Sequence, residues 1–290
     1  MKIILPFLAF QLIQVLAFSQ KITGKLKFEQ GQKLEIAMQL KTTISQQAMG
    51  QAIDFIVDAT GVHSYIVTNS TEDNTTLNHQ VQQITFAFNG MGQKRNFDSN
   101  NEKDINGQFG KPIKEILEKK FDMIIDSNGK TLIVLPEKIK LTEADSRMAI
   151  ITGMMKDVMD LVQPPQKGKS SFFQVLPGNE LEKGNTWTAS YINEIGKFDE
   201  SYSISDITDS VIVVDFVVNS ITITKAEMMG NETTTRMNNK STGKIILDRA
   251  TGIMKEKNVN TESNGSTEAP FGTLPVNSKT SMLITVKAVL

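Results

Sequence analysis

Apolar and polar residues alternate along most of the chain. The alternation is clear at 34–40 and at 80–88, and 211–224 is one of several further strand-like segments in the second half. A period of two places successive side chains on opposite faces of a strand, so these stretches predict half-buried β-strands. Turn signals such as Asn89-Gly90 and the run 126–129 separate them, which favours hairpins between neighbours. The pattern therefore predicts a mainly antiparallel β protein.

One segment replaces this alternation with a helical period and begins at Thr142, a candidate N-cap. It ends at Pro164, because the residue before a proline is disfavoured in a helix. Its apolar residues recur at spacings of three and four: Met148, Ile151, Met155, Val158, Met159 and Val162. We therefore predict an α+β fold, mainly antiparallel β, as a curved sheet or two joined β-meanders. One long amphipathic helix lies between the halves in this prediction.

The predicted helix divides the chain into two β-rich parts. The N-terminal half covers 20–162 and ends in the Met-rich helix, and the C-terminal half covers 163–290. A weak internal repeat relates them, since Ser64-Tyr65 and Ile84-Thr85 match Ser201-Tyr202 and Ile221-Thr222 at one constant offset. A duplicated meander explains this match, and chance similarity between antiparallel strands is the alternative.

The N-terminus has the features of a secretory signal peptide. Lys2 precedes an apolar run, and the small residues Ala17 and Ser19 end it. Gln11 and Gln14 interrupt the run, which falls short of the about 20 apolar residues of a membrane-spanning helix. We predict a signal peptide at 1–19, cleaved after Ser19, and no transmembrane span afterwards. A retained membrane anchor is the alternative.

The amino-acid composition limits the cellular locations and the classes of binding partner that we expect for this protein. The sequence contains no cysteine, so it has neither disulfides nor a lipid-modified cysteine. An exported chain without disulfides fits a bacterial envelope, and we expect it to be periplasmic or secreted. The 31 basic and 32 acidic residues balance, and basic residues are interleaved with acidic ones. We therefore expect no nucleic-acid partner.

Several short phrases, mostly turns, occur in a familiar order along the chain. They include Met49-Gly50-Gln51, Phe97-Asp98-Ser99, Gly110-Lys111-Pro112, the run 126–130, Leu176-Pro177, the run 184–187, Thr242-Gly243 and the run 247–252. In these phrases the chain resembles domain-of-unknown-function family 6263, a family of uncharacterised exported bacterial proteins. The resemblance implies an exported β-rich fold and no particular activity. Unlike many relatives, this chain has no lipobox cysteine.

Residues suited to catalysis are few. His63 and His79 are the only histidines, and we expect His63 on the polar face of a strand. Neither a nucleophile elbow, a phosphate loop nor an EF-type calcium loop is present. Asp157 and Asp160 form an acidic pair that fits a carboxylate-based hydrolase, but helical spacing places them off the apolar stripe, facing water. We predict no catalytic residue, no metal site and no cofactor.

Methionine is the most informative residue type. The chain has 14, and several fall on the predicted helix. Because methionine adapts to varied apolar partners, we predict a cavity for a hydrophobic ligand or lipid between sheet and helix. Its predicted lining is Met148, Ile151, Met155, Val158 and Met159. Ordinary core packing of these methionines is the alternative.

A third hypothesis treats the chain as an interaction module. The Thr- and Asn-rich stretch 231–241 is predicted to form an exposed sheet edge that another envelope protein pairs with, and 260–275 to form a mobile loop. The sequence thus predicts an exported, non-enzymatic envelope protein. Its predicted partner is a lipid or other apolar ligand, or another envelope protein.

Overall fold

The computed structural model describes residues 21–48, 51–90, 92–107, 110–140, 156–193, 195–228, 231–270 and 272–289. Strands account for 67% of these residues and helices for 8%. The strands are β1 (Lys33–Ala48), β2 (Gln51–Ser70), β3 (Asn74–Gly90), β4 (Gln93–Asp98), β5 (Lys120–Asp126), β6 (Thr131–Leu135), β7 (Thr186–Asn193), β8 (Gly196–Ile207), β9 (Val211–Met228), β10 (Asn231–Asp248), β11 (Met254–Ala269) and β12 (Gly272–Val289). The helices are α1 (Glu102–Ile105), α2 (Gly110–Glu118) and α3 (Lys156–Met159), and a 3-10 turn at Asp160–Val162 follows α3.

All twelve strands belong to one sheet, in the order β6-β5-β3-β2-β1-β12-β11-β10-β9-β8-β7, with β4 beside β3. Every pair is antiparallel, which confirms that part of the prediction. Strands β1–β6 form an N-terminal meander, and β7–β12 form a C-terminal meander. The two are joined through β1 and β12, which pair from Lys33↔Val289 to Gln46↔Val276.

The buried side chains lie on one face of the sheet, which we call the inner face. In β3 the burial alternates residue by residue over most of the strand, as a period of two requires. One apolar cluster lies on the N-terminal meander beneath α2 and α3, and a second lies on β8–β11. Phe172, Met282 and Val286 pack against both clusters, so the two cores are continuous.

The predicted α+β class, with one long amphipathic helix between the halves, was wrong: the chain is nearly all antiparallel β. Residues 141–155 lie outside the described residues. Within the described part of that segment, the helix is the single turn α3, and the 3-10 turn follows it. The apolar spacing has a simple cause, since Val158 and Val162 are both buried against the sheet. One helical turn with a 3-10 extension satisfies that spacing.

Two predicted irregular or edge segments are strands inside the sheet. Within 260–275, predicted as a mobile loop, the described residues 260–270 and 272–275 form the turn end of the β11–β12 hairpin. Residues 231–241, predicted as a sheet edge, lie in β10, which pairs with β9 on one side and β11 on the other. Both predictions were wrong, because Asn, Ser and Thr side chains pair across these strands, as Ser241 and Thr261 do at 2.8 Å.

The predicted signal peptide lies outside the described residues and stays a prediction, as does the division into two domains. Across the described ranges, none of the helices is long and apolar enough to cross a membrane.

Candidate functional site

A cavity of about 300 Å³ lies between the inner face and the chain segment that precedes β7. Its cover, residues 156–175, consists of α3, the 3-10 turn and the irregular connector after it. Strands from both meanders supply the floor, so the cavity lies where the two cores meet. The lining residues are Met38, Asp157, Asp160, Leu161, Ser171, Phe172, Gln174, Val175, Tyr202, Ile245, Met254, Lys257, Met282 and Ile284.

The strands contribute the methionines of this cavity. Met38 comes from β1, Met254 from β11 and Met282 from β12, and each lies on the inner face. Because the thioether side chain is flexible and polarisable, three methionines make a wall that adapts to the shape of an apolar guest. The alternation at 34–40 places Met38 on the same face as Leu34 and Ile36, whereas Met254 and Met282 stand beside other apolar residues, so spacing did not single them out.

The predicted ligand contacts divide into two groups. Met148, Ile151 and Met155 lie outside the described residues. Val158 is fully buried in the N-terminal core, and Met159 packs against the same core, beside the cavity. Contact between these five residues and a ligand therefore stays a prediction.

One end of the cavity carries charge. Asp157, Asp160 and Lys257 line it there. The prediction that both aspartates face water holds for Asp160, which is exposed, whereas Asp157 is half-buried. The Lys257 ammonium lies 5.1 Å from the centre of the Phe216 ring, within cation–π distance. Burial lowers the pKa of Lys257, and the nearby carboxylates of Glu200 and Asp157 oppose this effect.

Aromatic side chains flank the charged end along β7, β8 and β9. Trp187 stacks on Tyr202 with ring centres 5.3 Å apart, and Tyr202 in turn lies 6.1 Å from Phe216. Two tyrosine hydroxyls hold Glu200: Tyr191 Oη donates to Oε1 at 3.1 Å and Tyr202 Oη to Oε2 at 2.9 Å. Burial, and then the charge of Glu200, raises the pKa of Tyr202, so its phenol stays protonated as a donor.

Both histidines lie beneath the cover, in the N-terminal core. Each is 1% exposed, so the prediction of His63 on a polar face was wrong. His63 Nδ1 lies 3.1 Å from His79 Nε2, and His63 Nε2 lies 3.3 Å from the carbonyl oxygen of Val158 in α3. Burial lowers the pKa of His63 to about 4 and that of His79 to about 3, so both imidazoles are neutral at pH 7.

The site is therefore an apolar cavity with an acidic and aromatic end and a buried histidine pair beside it. Within the described ranges, no group of three or more His, Asp or Glu residues is placed to hold a metal ion. The polar groups at the cavity are suited to orienting a bound molecule.

A family model described as "Family of unknown function (DUF6263)" matches residues 72–254, more than half of the chain. The chain belongs to this family, and the resemblance noted in the sequence is confirmed. No curated protein matches the sequence.

Solved structures match the fold at low sequence identity. A structure titled "Lipid-protein interactions in lipovitellin" aligns with a TM-score of 0.48 and 10% identity, over 91% of this chain and 26% of that chain. The present chain thus spans about a quarter of the lipovitellin chain. An outer membrane channel from Pseudomonas putida F1 aligns with a TM-score of 0.28 and 7% identity, over 91% and 98% of the two chains. The translocator domain of the autotransporter NalP from Neisseria meningitidis aligns with a TM-score of 0.20 and 7% identity, over 90% of each chain.

Proposed function

We propose that this member of the DUF6263 family binds a small hydrophobic or lipid-like molecule in the cavity beneath residues 156–175. The cavity itself is the observation that carries the proposal. Its volume of about 300 Å³ lies at the lower end of the range for small-molecule sites.

The lining supports an amphipathic guest. Most of the lining side chains are apolar, including Leu161, Val175 and Ile284, and they favour removal of apolar surface from water. Asp157, Asp160 and Lys257 are grouped with polar Tyr202, so a polar group on the guest finds partners while its apolar part is buried.

The cover provides a route into the cavity. Asp160 lines the cavity and is exposed, so the cavity reaches the surface beside it. The cover holds one helical turn, one 3-10 turn and an irregular connector. Segments of this kind open at lower free energy than paired strands in the middle of a sheet.

We further propose that the protein works in the bacterial envelope, periplasmic or secreted, after cleavage following Ser19, and without catalysing a reaction. The basic residue and apolar run at the N-terminus support export. A polar end made of acids, one lysine and tyrosines supports binding, since these groups already hold one another.

Native mass spectrometry of protein purified from the envelope fraction without detergent tests these proposals together. The intact mass should correspond to a chain that starts at Gln20. We expect an additional apolar molecule in one-to-one ratio, recovered by lipid extraction. Val175→Phe adds a ring to the cavity wall, and we expect it to abolish this adduct.

The matched control is Val213→Phe, the same change on the outer face of β9, which should keep the adduct. A wild-type protein without any adduct would contradict ligand binding. It would favour a second function, interaction through the edge strand β7, where the side chain of Ile192 is 79% exposed.

A further inference from the structure

We infer that His63 and His79 form a pH-sensitive latch, which holds α3 and the cover of the cavity against the sheet at neutral pH and releases them in acid. This function is separate from ligand binding, and it would operate whether or not the cavity holds a guest. Its basis is a chain of three groups that runs from β3 through β2 into α3.

The hydrogen-bond chain fixes the proton on each ring. The carbonyl oxygen of Val158 only accepts, so His63 donates to it from Nε2–H, and Nδ1 of His63 is left as an acceptor. His79 then donates from its own Nε2–H to Nδ1 of His63. Nδ1 of His79 remains a buried acceptor without a hydrogen-bond partner among the described residues. Both rings are thus Nε2–H tautomers, and every donor is used.

A first proton is bound by the free Nδ1 of His79 without loss of a hydrogen bond, but it leaves a positive charge and an unpartnered N–H in the core, and a second proton breaks the chain. A proton on Nδ1 of His63 faces the Nε2–H of His79 across 3.1 Å, so the hydrogen bond between the rings survives only if His79 changes tautomer. That change leaves a buried Nδ1–H on His79 in place of the lone pair. A second proton makes both rings positively charged, so that an N–H of His63 and an N–H of His79 point at each other in a site buried away from water. Burial makes each charged form costly.

Among the described residues, no charged group beside the two rings compensates such a charge. Tyr65 and Phe121 pack on the His79 ring at 4.7 Å and 4.3 Å between ring centres, and neither carries a charge near neutral pH. Burial raises the pKa of Tyr65 further. In the neighbouring strand β1, the residue opposite His63 is Ile36. From α3 the contact is a backbone carbonyl, and Asp157 of that helix lines the cavity beside Lys257.

The latch acts on the cover because α3 lies directly on the sheet at this point. A Cβ added to Gly61 would lie 3.0 Å from the Val158 carbonyl oxygen and 3.1 Å from His63 Nε2, so only glycine admits the helix this closely. Asp157 precedes Val158 and Leu161 follows it in the same short segment, and both line the cavity. Displacement of Val158 therefore moves the cavity wall.

A single cysteine introduced into this cysteine-free chain reports the release. Val162→Cys places a thiol at a buried position of the 3-10 turn, and Thr242→Cys places one on the exposed outer face of β10. At each pH, the rate at which the Val162→Cys thiol reacts with dithiodipyridine is divided by the rate for the Thr242→Cys thiol. This ratio removes the pH dependence of the reaction itself, which is common to both thiols. At pH 7 we expect the buried thiol to react at least about tenfold more slowly, and at about pH 4.5 we expect the two rates to converge.

Two further variants separate the latch from general acid unfolding. Val214→Cys, fully buried in β9, should stay protected at about pH 4.5. Val162→Cys in a His63→Phe, His79→Phe background should react at the same rate relative to Thr242→Cys at pH 7 and at about pH 4.5, because nothing at the latch then titrates. If Val162→Cys in the wild-type background stays protected in acid, or if Val214→Cys is exposed with it, the latch is ruled out. An acid-dependent rise in reactivity of the same size in the double-phenylalanine background would rule it out as well.

The wild-type protein gives an independent reading should the double variant not fold. Its only two histidines are His63 and His79, so nitrogen NMR of ¹⁵N-histidine-labelled protein contains no other imidazole signals. We expect both rings as neutral Nε2–H tautomers at pH 7, with no titration until well below their ordinary pKa of 6.5. Titration of either ring near that ordinary value in the folded protein would overturn the latch.

Discussion

The two meanders share one sheet and one inner face, but they fill that face differently. On the N-terminal meander the inner positions carry large side chains such as Tyr65 and Phe121, which are 1% and 2% exposed. On the C-terminal meander the inner positions toward one end of β9–β12 are mostly Ser, Thr and Asn. There Asn239 donates to Ser220 and Thr222 at 3.1 Å. Alternation determines which residues face inward, and the volume of those residues determines whether a core forms.

The cavity lies where the apolar clusters of the two meanders meet. Phe172 and Met282 pack against both apolar clusters and also line the cavity. On one side of them lies the N-terminal cluster, and on the other side lies the C-terminal cluster, which includes Ile245 and Met254. Flexible methionines occupy the junction of the two clusters. On the C-terminal meander the candidate site thus belongs to the apolar part and not to the polar end.

The largest effect should come from the aromatic core. Phe121→Ala removes a ring that stacks on His79, and we expect the free energy of unfolding to fall by about 3–5 kcal/mol. Trp187→Ala, in the edge strand β7, removes a half-buried ring that stacks on Tyr202, and about 1–2 kcal/mol is expected. Urea denaturation followed by far-ultraviolet circular dichroism measures both.

Tryptophan fluorescence, recorded in the same urea denaturation, shows whether the two meanders unfold together. Trp187 is the only tryptophan and lies in the C-terminal meander, whereas Phe121 lies in the N-terminal one. Because β1 and β12 pair along most of their length, we expect Phe121→Ala to shift the fluorescence and dichroism midpoints equally. A fluorescence midpoint that stays at the wild-type value would divide the protein into two cooperative units and contradict this expectation.

The second-largest effect should be the loss of stability in acid, which we expect to come mainly from the two histidines of the N-terminal core. Unfolded histidines bind protons near pH 6.5, whereas folded His63 and His79 bind them near pH 4 and pH 3. Between these values the unfolded state holds more protons, so stability is complete above about pH 6.5 and is lost as the pH falls. At pH 5 we expect the free energy of unfolding to be about 2–4 kcal/mol lower than at pH 7.

Urea titrations at pH 7, 6 and 5 measure this loss, and the His63→Phe, His79→Phe protein is the control. Hydrogen bonds and ion pairs lower the pKa values of the half-buried residues Asp199 and Asp206 below 3.8, so these carboxylates titrate beneath the window. A control protein that loses as much stability as the wild type would assign the pH dependence to other groups.

The strands could be predicted from the sequence because alternation is local. The helix was overestimated for a related reason: Val158 and Val162 have helical spacing, and a single turn already satisfies it. Local patterns also cannot show which surface a helix meets. Asp157 was therefore expected to face water, although the cavity lies on its side of the segment.

The site depends on pairings that no local pattern contains. His63 and His79 become neighbours because β2 pairs with β3 in a register that shifts between Val62 and His63. Met38 and Met282 meet because the first and last strands pair, with Met38 opposite Ile284 and Leu40 opposite Met282. Registers of this kind follow from the packing of the whole face, so the lining of the cavity was not predictable from spacing.

The smallest effect should come from the polar part of the C-terminal meander. The hydroxyls of Ser241 and Thr261 lie 2.8 Å apart across β10 and β11, half-buried on the inner face. Ser241→Ala removes one partner, and we expect a loss of about 0.5–1.5 kcal/mol in the free energy of unfolding, measured by urea denaturation. Thr242→Ala, one residue along and exposed on the outer face, should change it by about 0.5 kcal/mol or less. Equal losses for Ser241→Ala and Thr242→Ala would mean that the hydroxyl pair adds nothing beyond strand propensity. A loss for Ser241→Ala as large as that for Phe121→Ala would mean that this polar part of the inner face is packed like a core.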